Sequence, residues 1–425
     1  MKRTTANPLT RMRYPRLVAV LLFLTPHSPL GVVPADADDP RATVEHYYKQ
    51  WQALMKKQQK LDHDEFTHEF VAIVDELFYL DTLAPQILPG RWPALSERQQ
   101  EVFVEALKSS IEHKVLAYIE KDRKRRIPSL KFKKKESTQG GVTLEYSMKR
   151  GRTEDKVTVT MLETSDAKWQ ITDVRFGDKS ILDYYKNFSS KLIKDYSFPY
   201  LVAELGEYPF ITLEDFEGSP VGEMPAAWTW KPKDNDKRKP YVVSEENGNR
   251  YLAATDTGES VIIGKDIKWN LKKYPFVSFR WRAHEIPEGA DERYDKKVDS
   301  AAGIYFIYKN KLGLIPESVK YVWSSTLPVG AAMQRKGLGK PWMVVAETGT
   351  DHLGEWRTYV FNMAEAYTKT YGGKPPNKPI GIGILSDANS MKGHAYADYD
   401  DIRALRTAED TVDSGVRQKM ETYKQ

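Results

Sequence analysis

Apolar positions in the first half of the chain recur at helical spacing. Residues 43–60 carry Tyr47, Tyr48, Trp51 and Leu54 on one face, which predicts a lead-in helix. Phe66, Phe70, Ile73, Val74, Leu77 and Phe78 follow with the spacing of an amphipathic helix that buries one stripe. Pro85, Pro89, Gly90 and Pro93 interrupt that pattern. Ser96 and Gln99 then read as a capping box, and Val102, Phe103, Ala106, Leu107, Ile111, Leu116 and Ile119 predict a second long helix, ending before the charged stretch 121–126 and Pro128.

The period then switches to two. Residues 131–136, 142–148, 156–163 and 168–175 alternate as antiparallel strands, separated by Gly140-Gly141, Gly151 and a turn at Asp166. Helical spacing returns at Ile181 and continues through Tyr184, Tyr185, Phe188, Leu192 and Ile193, with 200–205 closing the unit. Helices followed by a meander and a terminal helix predict an α+β domain over 43–205, in which helices cover one face of a curved antiparallel sheet. Past a boundary at 206–209 the helical signal gives way to short β runs: 210–216, 241–243, 251–254, 276–282, 303–308, 320–324, 342–346, 356–361, 380–385 and 395–404. Asn247-Gly248 marks a tight hairpin, since both residues tolerate positive φ. The expectation is an all-β jelly-roll sandwich over 209–405, interrupted by one helix at 363–371 and followed by a charged tail, 406–425.

Composition narrows the chemistry. The 425 residues include no cysteine, which removes thiol catalysis, thiolate metal sites and lipid attachment through sulfur. Lys2, Arg3, Arg11, Arg13 and Arg16 precede an apolar run at 17–24 and an Ala35-Asp36-Ala37 cleavage pattern, so 1–37 reads as a secretory signal peptide and the expected location is the periplasm. Its removal takes away five basic residues and one acidic residue, lowering the formal net charge from +5 to +1. A nearly neutral exported chain lacks the positive field that nucleic-acid binding demands.

His46, His63, His68 and His113 of the first unit have no metal-ligand or general-base spacing. A curved sheet under two aromatic-rich helices encloses either a dry core or an apolar cavity, and the stripe alone does not distinguish them. Two motifs add to this. Trp92 is followed by Ser96, Gln99 and Phe103, and Trp169 by Asp173, Val174, Gly177, Ser180, Ile181, Leu182 and Tyr185. In this order, over residues 43–205, they resemble the MlaC family of periplasmic phospholipid-binding shuttles, also called toluene-tolerance auxiliary proteins. The resemblance implies a fold that parts to admit acyl chains, without covalent chemistry or cofactor. It also implies a role in ABC-type envelope lipid transport, with docking partners at the inner and outer membranes. Phe70, Val74, Leu77, Phe78, Phe103, Leu107, Ile111, Tyr146 and Tyr185 are the candidates for acyl contact. Arg123, Lys124, Arg125 and Arg126, with Lys121, Lys131, Lys133, Lys134 and Lys135, form a local basic cluster suited either to a phosphate headgroup or membrane surface or to plain solvation.

In the β-rich half, alternation along 276–282 puts Arg280 and Arg282 on one face and Val277, Phe279 and Trp281 on the other. Arg280 and Arg282 with Trp323 and Trp356 are the candidate ligand face, able to stack sugars or clamp phosphate, or else a set of core tryptophans and surface pairs. The order Arg-Trp-Arg, Tyr321-x-Trp323-Ser324, Gly354-x-Trp356, Ser386-Asp387-x-Asn389 and Tyr399-Asp400-Asp401-Ile402 resembles a family of uncharacterised exported bacterial domains with a galactose-binding-like sandwich. Asp215 and Glu217 near the first strand and Asp398, Asp400 and Asp401 in the last would supply oxygen ligands for a structural calcium if those strands pair. The favoured reading is a non-enzymatic periplasmic lipid shuttle with an appended docking or recognition sandwich. The rival is an envelope glycan-binding protein; a third reading, an envelope glycan or lipid enzyme, would turn on Asp387, Asp398 or Asp400.

Overall fold

The computed structural model describes residues 39–410 apart from 58–60, 62–64, 70–77, 79, 123–127, 139–140, 166, 312–314 and 338. The signal segment 1–37 and the tail beyond 410 lie outside the described residues. Two compact units emerge: one runs to Lys191 and includes Leu205–Glu207, and the other comprises Leu192–Glu204 and everything from Tyr208 on.

In the first unit, α1 (Pro40–Lys57) buries Val44, Trp51 and Leu54. Helix α2 (Leu80–Ile87) forms across Pro85, where the sequence reads as a break. Leu80, Leu83, Ala84 and Ile87 are all buried at helical spacing. A proline inside a helix costs about 3 kcal/mol, whereas each fully buried Leu or Ile returns about 1.5–3 kcal/mol, so packing overrides the local penalty. Helix α3 (Glu97–Asp122) starts at the expected capping box: Gln99 N donates to Ser96 Oγ at 3.3 Å and Ser96 N donates to Gln99 Oε1 at 3.0 Å.

Strands β1 (Ser129–Thr138), β2 (Gly141–Arg150), β3 (Thr153–Glu163), β4 (Trp169–Phe176) and β5 (Lys179–Ser180) form an antiparallel sheet in sequential order. Leu144 pairs with Val159 and Tyr146 with Val157, so alternate residues of β2 and β3 line one buried face. Helix α4 (Ile181–Asp195) follows directly, then α5 (Phe198–Leu205). The sequence groups α5 with the first unit, but its packing places it in the second: Tyr200 and Ala203 belong to the sandwich core, Ser197 Oγ donates to the Lys268 carbonyl at 2.8 Å, and Tyr274 OH donates to the Tyr208 carbonyl at 3.2 Å.

The second unit contains β6 (Phe210–Glu214), β7 (Thr229–Trp230), β8 (Tyr241–Glu246), β9 (Asn249–Asp256), β10 (Ile263–Asp266), β11 (Phe276–Glu285), β12 (Ala302–Lys311), β13 (Ile315–Ser324), β14 (Ala332–Gln334), β15 (Trp342–Thr348), β16 (Arg357–Asn362), helix α6 (Met363–Tyr371), β17 (Gly381–Ile384) and β18 (Ala395–Leu405). One sheet has the order β14-β15-β13-β12-β17-β10-β7, the other β16-β11-β18-β9-β8, with β6 also pairing β18. All pairings are antiparallel except β13 with β15. Asn247 and Gly248, at φ 54° and 77°, make the two-residue turn between β8 and β9. The inward faces of both sheets share one core. Phe279 is its aromatic hub, with ring centroids of Trp281 at 4.9 Å, Tyr359 at 5.9 Å, and Tyr321 and Phe361 at 6.0 Å. Such pairs add about 0.5–1.5 kcal/mol each beyond area burial. Among the described residues, no helix is long and apolar enough to cross a membrane.

Candidate functional site

Helix α3 sets one wall of the first unit's interior because Phe103, Leu107 and Ile111 repeat every four residues, and all three are fully buried. Tyr146 reaches the interior from β2 and Tyr185 from α4, each 1% exposed. Phe78, expected within a helix, is also buried, but its backbone bridges Ile171 of β4 in parallel. Six acyl-contact candidates are therefore interior residues. Phe70, Val74 and Leu77 lie outside the described residues. Edge-on rings support two of the six: Trp92 stands 6.2 Å from Phe103 and Phe132 5.7 Å from Tyr146.

This interior is not purely apolar. The hydroxyls of Tyr146 and Tyr184, Ser189 Oγ and Trp169 Nε1 are buried without a hydrogen-bond partner among the described residues. Each such group costs about 1–3 kcal/mol. Lys114 also enters the interior, one turn beyond Ser110. Its ammonium donates to Ser110 Oγ and, at 3.3 Å, to Tyr185 OH, and lies 4.8 Å from the Tyr185 ring centroid and 5.5 Å from that of Tyr184. Burial pushes its pKa down to about 8, with Glu207 opposing the shift. The sequence reading missed Lys114, although position 114 continues the 103, 107, 111 stripe.

The basic residues Arg123, Lys124, Arg125 and Arg126 lie outside the described residues. Farther along the same cluster, Lys131, Lys133, Lys134 and Lys135 are exposed on β1. Lys134 pairs with Glu136 at 2.6 Å and Lys135 with Asp39 at 3.8 Å, so part of that charge is neutralised locally.

In the second unit, β11 presents Arg280 and Arg282 on the outer face of the six-stranded sheet, as alternation requires. Register sets Arg280 opposite Asp400 and Arg282 opposite Asp398 on β18. Arg280 Nε donates to Asp400 Oδ2 at 3.1 Å and its Nη2 donates to Asn249 Oδ1 at 2.9 Å. Arg282 Nε donates to Asp398 Oδ2 at 2.9 Å, and Arg282 also pairs with Glu246 at 3.2 Å. Both guanidinium groups stack on Trp356, at 4.8 and 4.7 Å. Burial and the Asp401 charge raise the Asp400 pKa, while Arg280 and Asn249 oppose that rise. His284 Nε2 lies 2.6 Å from Asp398 Oδ2.

Trp323 does not join this face. It is fully buried in the core on β13 of the other sheet, where its Nε1 donates to the Gly349 carbonyl at 3.0 Å. Parity within a strand fixes a face only relative to that strand; the pairing of Trp323 with Ala302 of β12 turns it inward. Arg280, Arg282 and Trp356 thus form a ladder whose cations are already engaged by carboxylates, so a phosphate would have to displace them. The carboxylates considered for calcium have other partners: Asp398 and Asp400 face arginines, Asp401 pairs with Arg403 at 2.7 Å, Glu217 accepts from Arg250 N at 3.0 Å and Asp215 from Glu217 N at 3.3 Å. Among the described residues, no three His, Asp or Glu side chains converge as metal ligands.

Comparison with known proteins divides the chain in two. Residues 46–207 match the family model described as MlaC protein, and residues 227–403 match the model described as protein of unknown function DUF3047. No curated protein matches the sequence. Among solved structures, a phospholipid-binding protein from Ralstonia solanacearum in complex with a phospholipid is 14% identical, covering 34% of this chain and 77% of its own, with a TM-score of 0.27. The xyloglucanase domain of NopAA, a type three effector from Sinorhizobium fredii, in complex with cellobiose, is 11% identical over 43% of this chain and 96% of its own, with a TM-score of 0.27. A mannan-recognising carbohydrate-binding module is 13% identical over 47% and 99%, with a TM-score of 0.20.

Proposed function

We propose that this protein is a non-enzymatic periplasmic lipid carrier, whose first unit holds a phospholipid between α3, α4 and the sheet and passes it between envelope transport proteins of an ABC-type system. The observation that carries this reading is the match of residues 46–207 to the MlaC family. The arrangement of the interior supports it. Acyl chains find Phe78, Phe103, Leu107 and Ile111, where each buried CH₂ contributes about 0.8 kcal/mol. The partnerless Tyr146 and Tyr184 hydroxyls would donate to ester or phosphate oxygen. The sandwich, which we read as a jelly roll, serves docking or recognition.

Native mass spectrometry of the exported full-length chain tests the reading. A bound phospholipid of defined stoichiometry is expected, and Leu107→Arg, which drives a charge into the interior, should abolish it. Leu107→Met, close in volume, should retain it. Lipid-free wild-type protein, or Leu107→Arg protein with undiminished lipid, overturns the reading.

A further inference from the structure

The outer face of the seven-stranded sheet carries a buried lysine, Lys320, that makes no hydrogen bond or ion pair among the described residues. Strand register places Gly264, Gly383, Tyr305 and Lys320 in one row across β10, β17, β12 and β13. Their chain neighbours Ile263, Ile382, Phe306 and Tyr321 belong to the core, so the row faces away from it. Lys320 is only 3% exposed. Its ammonium lies 5.4 Å from the Tyr305 ring centroid, and its stem crosses Gly303, where an added Cβ would stand 2.3 Å from Lys320 Cε.

A second unpartnered group stands nearby. The loop holding Asp387 is tied to Ser300 by a backbone hydrogen bond of 3.1 Å. Asp387 is 6% exposed, and its Oδ1 is buried with no partner. The other carboxylates around Lys320 are spoken for: Glu292 accepts from Ser300 Oγ at 3.1 Å and Ser324 Oγ at 2.7 Å, and Asp299 accepts from Ser390 N at 3.1 Å and Met391 N at 2.6 Å. Burial lowers the Lys320 pKa and the Asp387 charge opposes that shift, yet no hydrogen bond joins the two. A fold that buries a lysine and leaves a buried carboxylate oxygen near it unmet loses stability, as binding sites do.

We propose that Lys320 and Asp387, with the Tyr305 ring beside them, form a binding site for a neutral glycan, whose hydroxyls accept from Lys320 Nζ and donate to Asp387 Oδ1. Charge decides the ligand class. An anion would meet the Asp387 carboxylate, and a cation would meet Lys320 and the neighbouring Arg335, whereas a sugar offers donors and acceptors on adjacent carbons. Shape agrees: the Tyr305 side chain packs over the buried Gly383, and the half-buried Gly264 at the end of the row carries no side chain, leaving room for a sugar ring beside an aromatic platform. This makes the recognition role of the sandwich specific and stands independently of lipid carriage by the first unit.

Calorimetric titration of the full chain with cellohexaose, mannohexaose and the hexamer of N-acetylglucosamine tests it, with inorganic phosphate and phosphoethanolamine as charged controls. At least one hexasaccharide should bind with Kd below about 1 mM, and Asp387→Asn and Lys320→Met should each weaken it about tenfold or more. Tyr305→Ala, which leaves both charged groups in place, should weaken it as well and covers the case in which Lys320→Met fails to fold. Three results overturn the proposal: no heat with any hexasaccharide, tighter binding of phosphate or phosphoethanolamine, or full affinity in both Asp387→Asn and Tyr305→Ala. Lipid content measured on the same sample reports on the carrier reading separately.

Discussion

Asp173 and Ser180 are joined by hydrogen bonds of 2.8 Å from the serine hydroxyl to both carboxylate oxygens, at the point where the sheet of the first unit gives way to helix α4. The same carboxylate accepts from Leu182 N at 3.1 Å, and Ser180 Oγ accepts from Asp183 N at 3.0 Å. Two side chains therefore satisfy free amides of the first turn, and the spacing between Asp173 and Ser180 in the second sequence motif is a capping device. Asp173→Ala should lower unfolding free energy by about 1–2 kcal/mol in urea titrations, and Ser180→Ala by a similar or smaller amount. If Asp173→Ala unfolds at the wild-type midpoint, the cap contributes nothing to stability.

Lys114 predicts an alkaline stabilisation. Its folded pKa of about 8 lies below the ordinary 10.5, so below pH 8 both states hold the proton and the folded state bears the full burial penalty. Between pH 8 and 10.5 the unfolded chain still holds a proton that the folded chain has shed, so stability rises with pH across that window. Lys114→Met should abolish this rise and be more stable than wild type at pH 7 by at most about 3 kcal/mol, less where solvent reaches the side chain. Identical pH dependence of the two proteins would show that the ammonium is not held in the interior.

The arginine ladder should behave as a coupled unit. Removing Asp400 alone leaves Arg280 with Asp401 and Asn249, and removing Arg280 alone leaves a carboxylate that is 1% exposed. A double-mutant cycle of Arg280→Met and Asp400→Ala should give a coupling of about 1–3 kcal/mol by thermal unfolding. Simple additivity would mean that the pair is electrostatically idle.

Gly303→Ala tests the path of the lysine. The new methyl would crowd Lys320 Cε and stand 3.0 Å from the Leu385 carbonyl oxygen, so about 1–3 kcal/mol of destabilisation is expected. In a Lys320→Ala background most of that loss should vanish, because the closest clash is gone. An equal loss in both backgrounds would place the strain at Leu385 instead.

How much of this was legible in sequence depended on how local the determining physics is. Alternation located β1 to β4 closely, and α6 matches its expected residues 363–371, because each of those segments has enough residues to establish a period. The strands β7, β10 and β14 went unread: two to four residues cannot establish a period, and β10 includes Gly264. Pro85 misled because burial of Leu83 and Ile87 outweighs the rule it breaks. The buried set Phe103, Leu107 and Ile111 was readable from one helix face. Trp323 was not, since its facing depends on register between distant strands. Lys320 escaped for the same reason: nothing within 315–324 distinguishes it from a solvated lysine, and Gly303, seventeen positions earlier, makes room for it.

Helix α5 gives the chain a seam that its family boundaries conceal. The MlaC match runs through residue 207, yet Tyr200 and Ala203 are lodged in the other unit's core. A cut at Gly206, where the sequence changes character, would strip a buried aromatic plug from the sandwich and leave the excised first unit trailing an orphan helix. Moving residues 227–403 alone into another chain would leave that wedge behind, and the sandwich would have to close over the gap by other means.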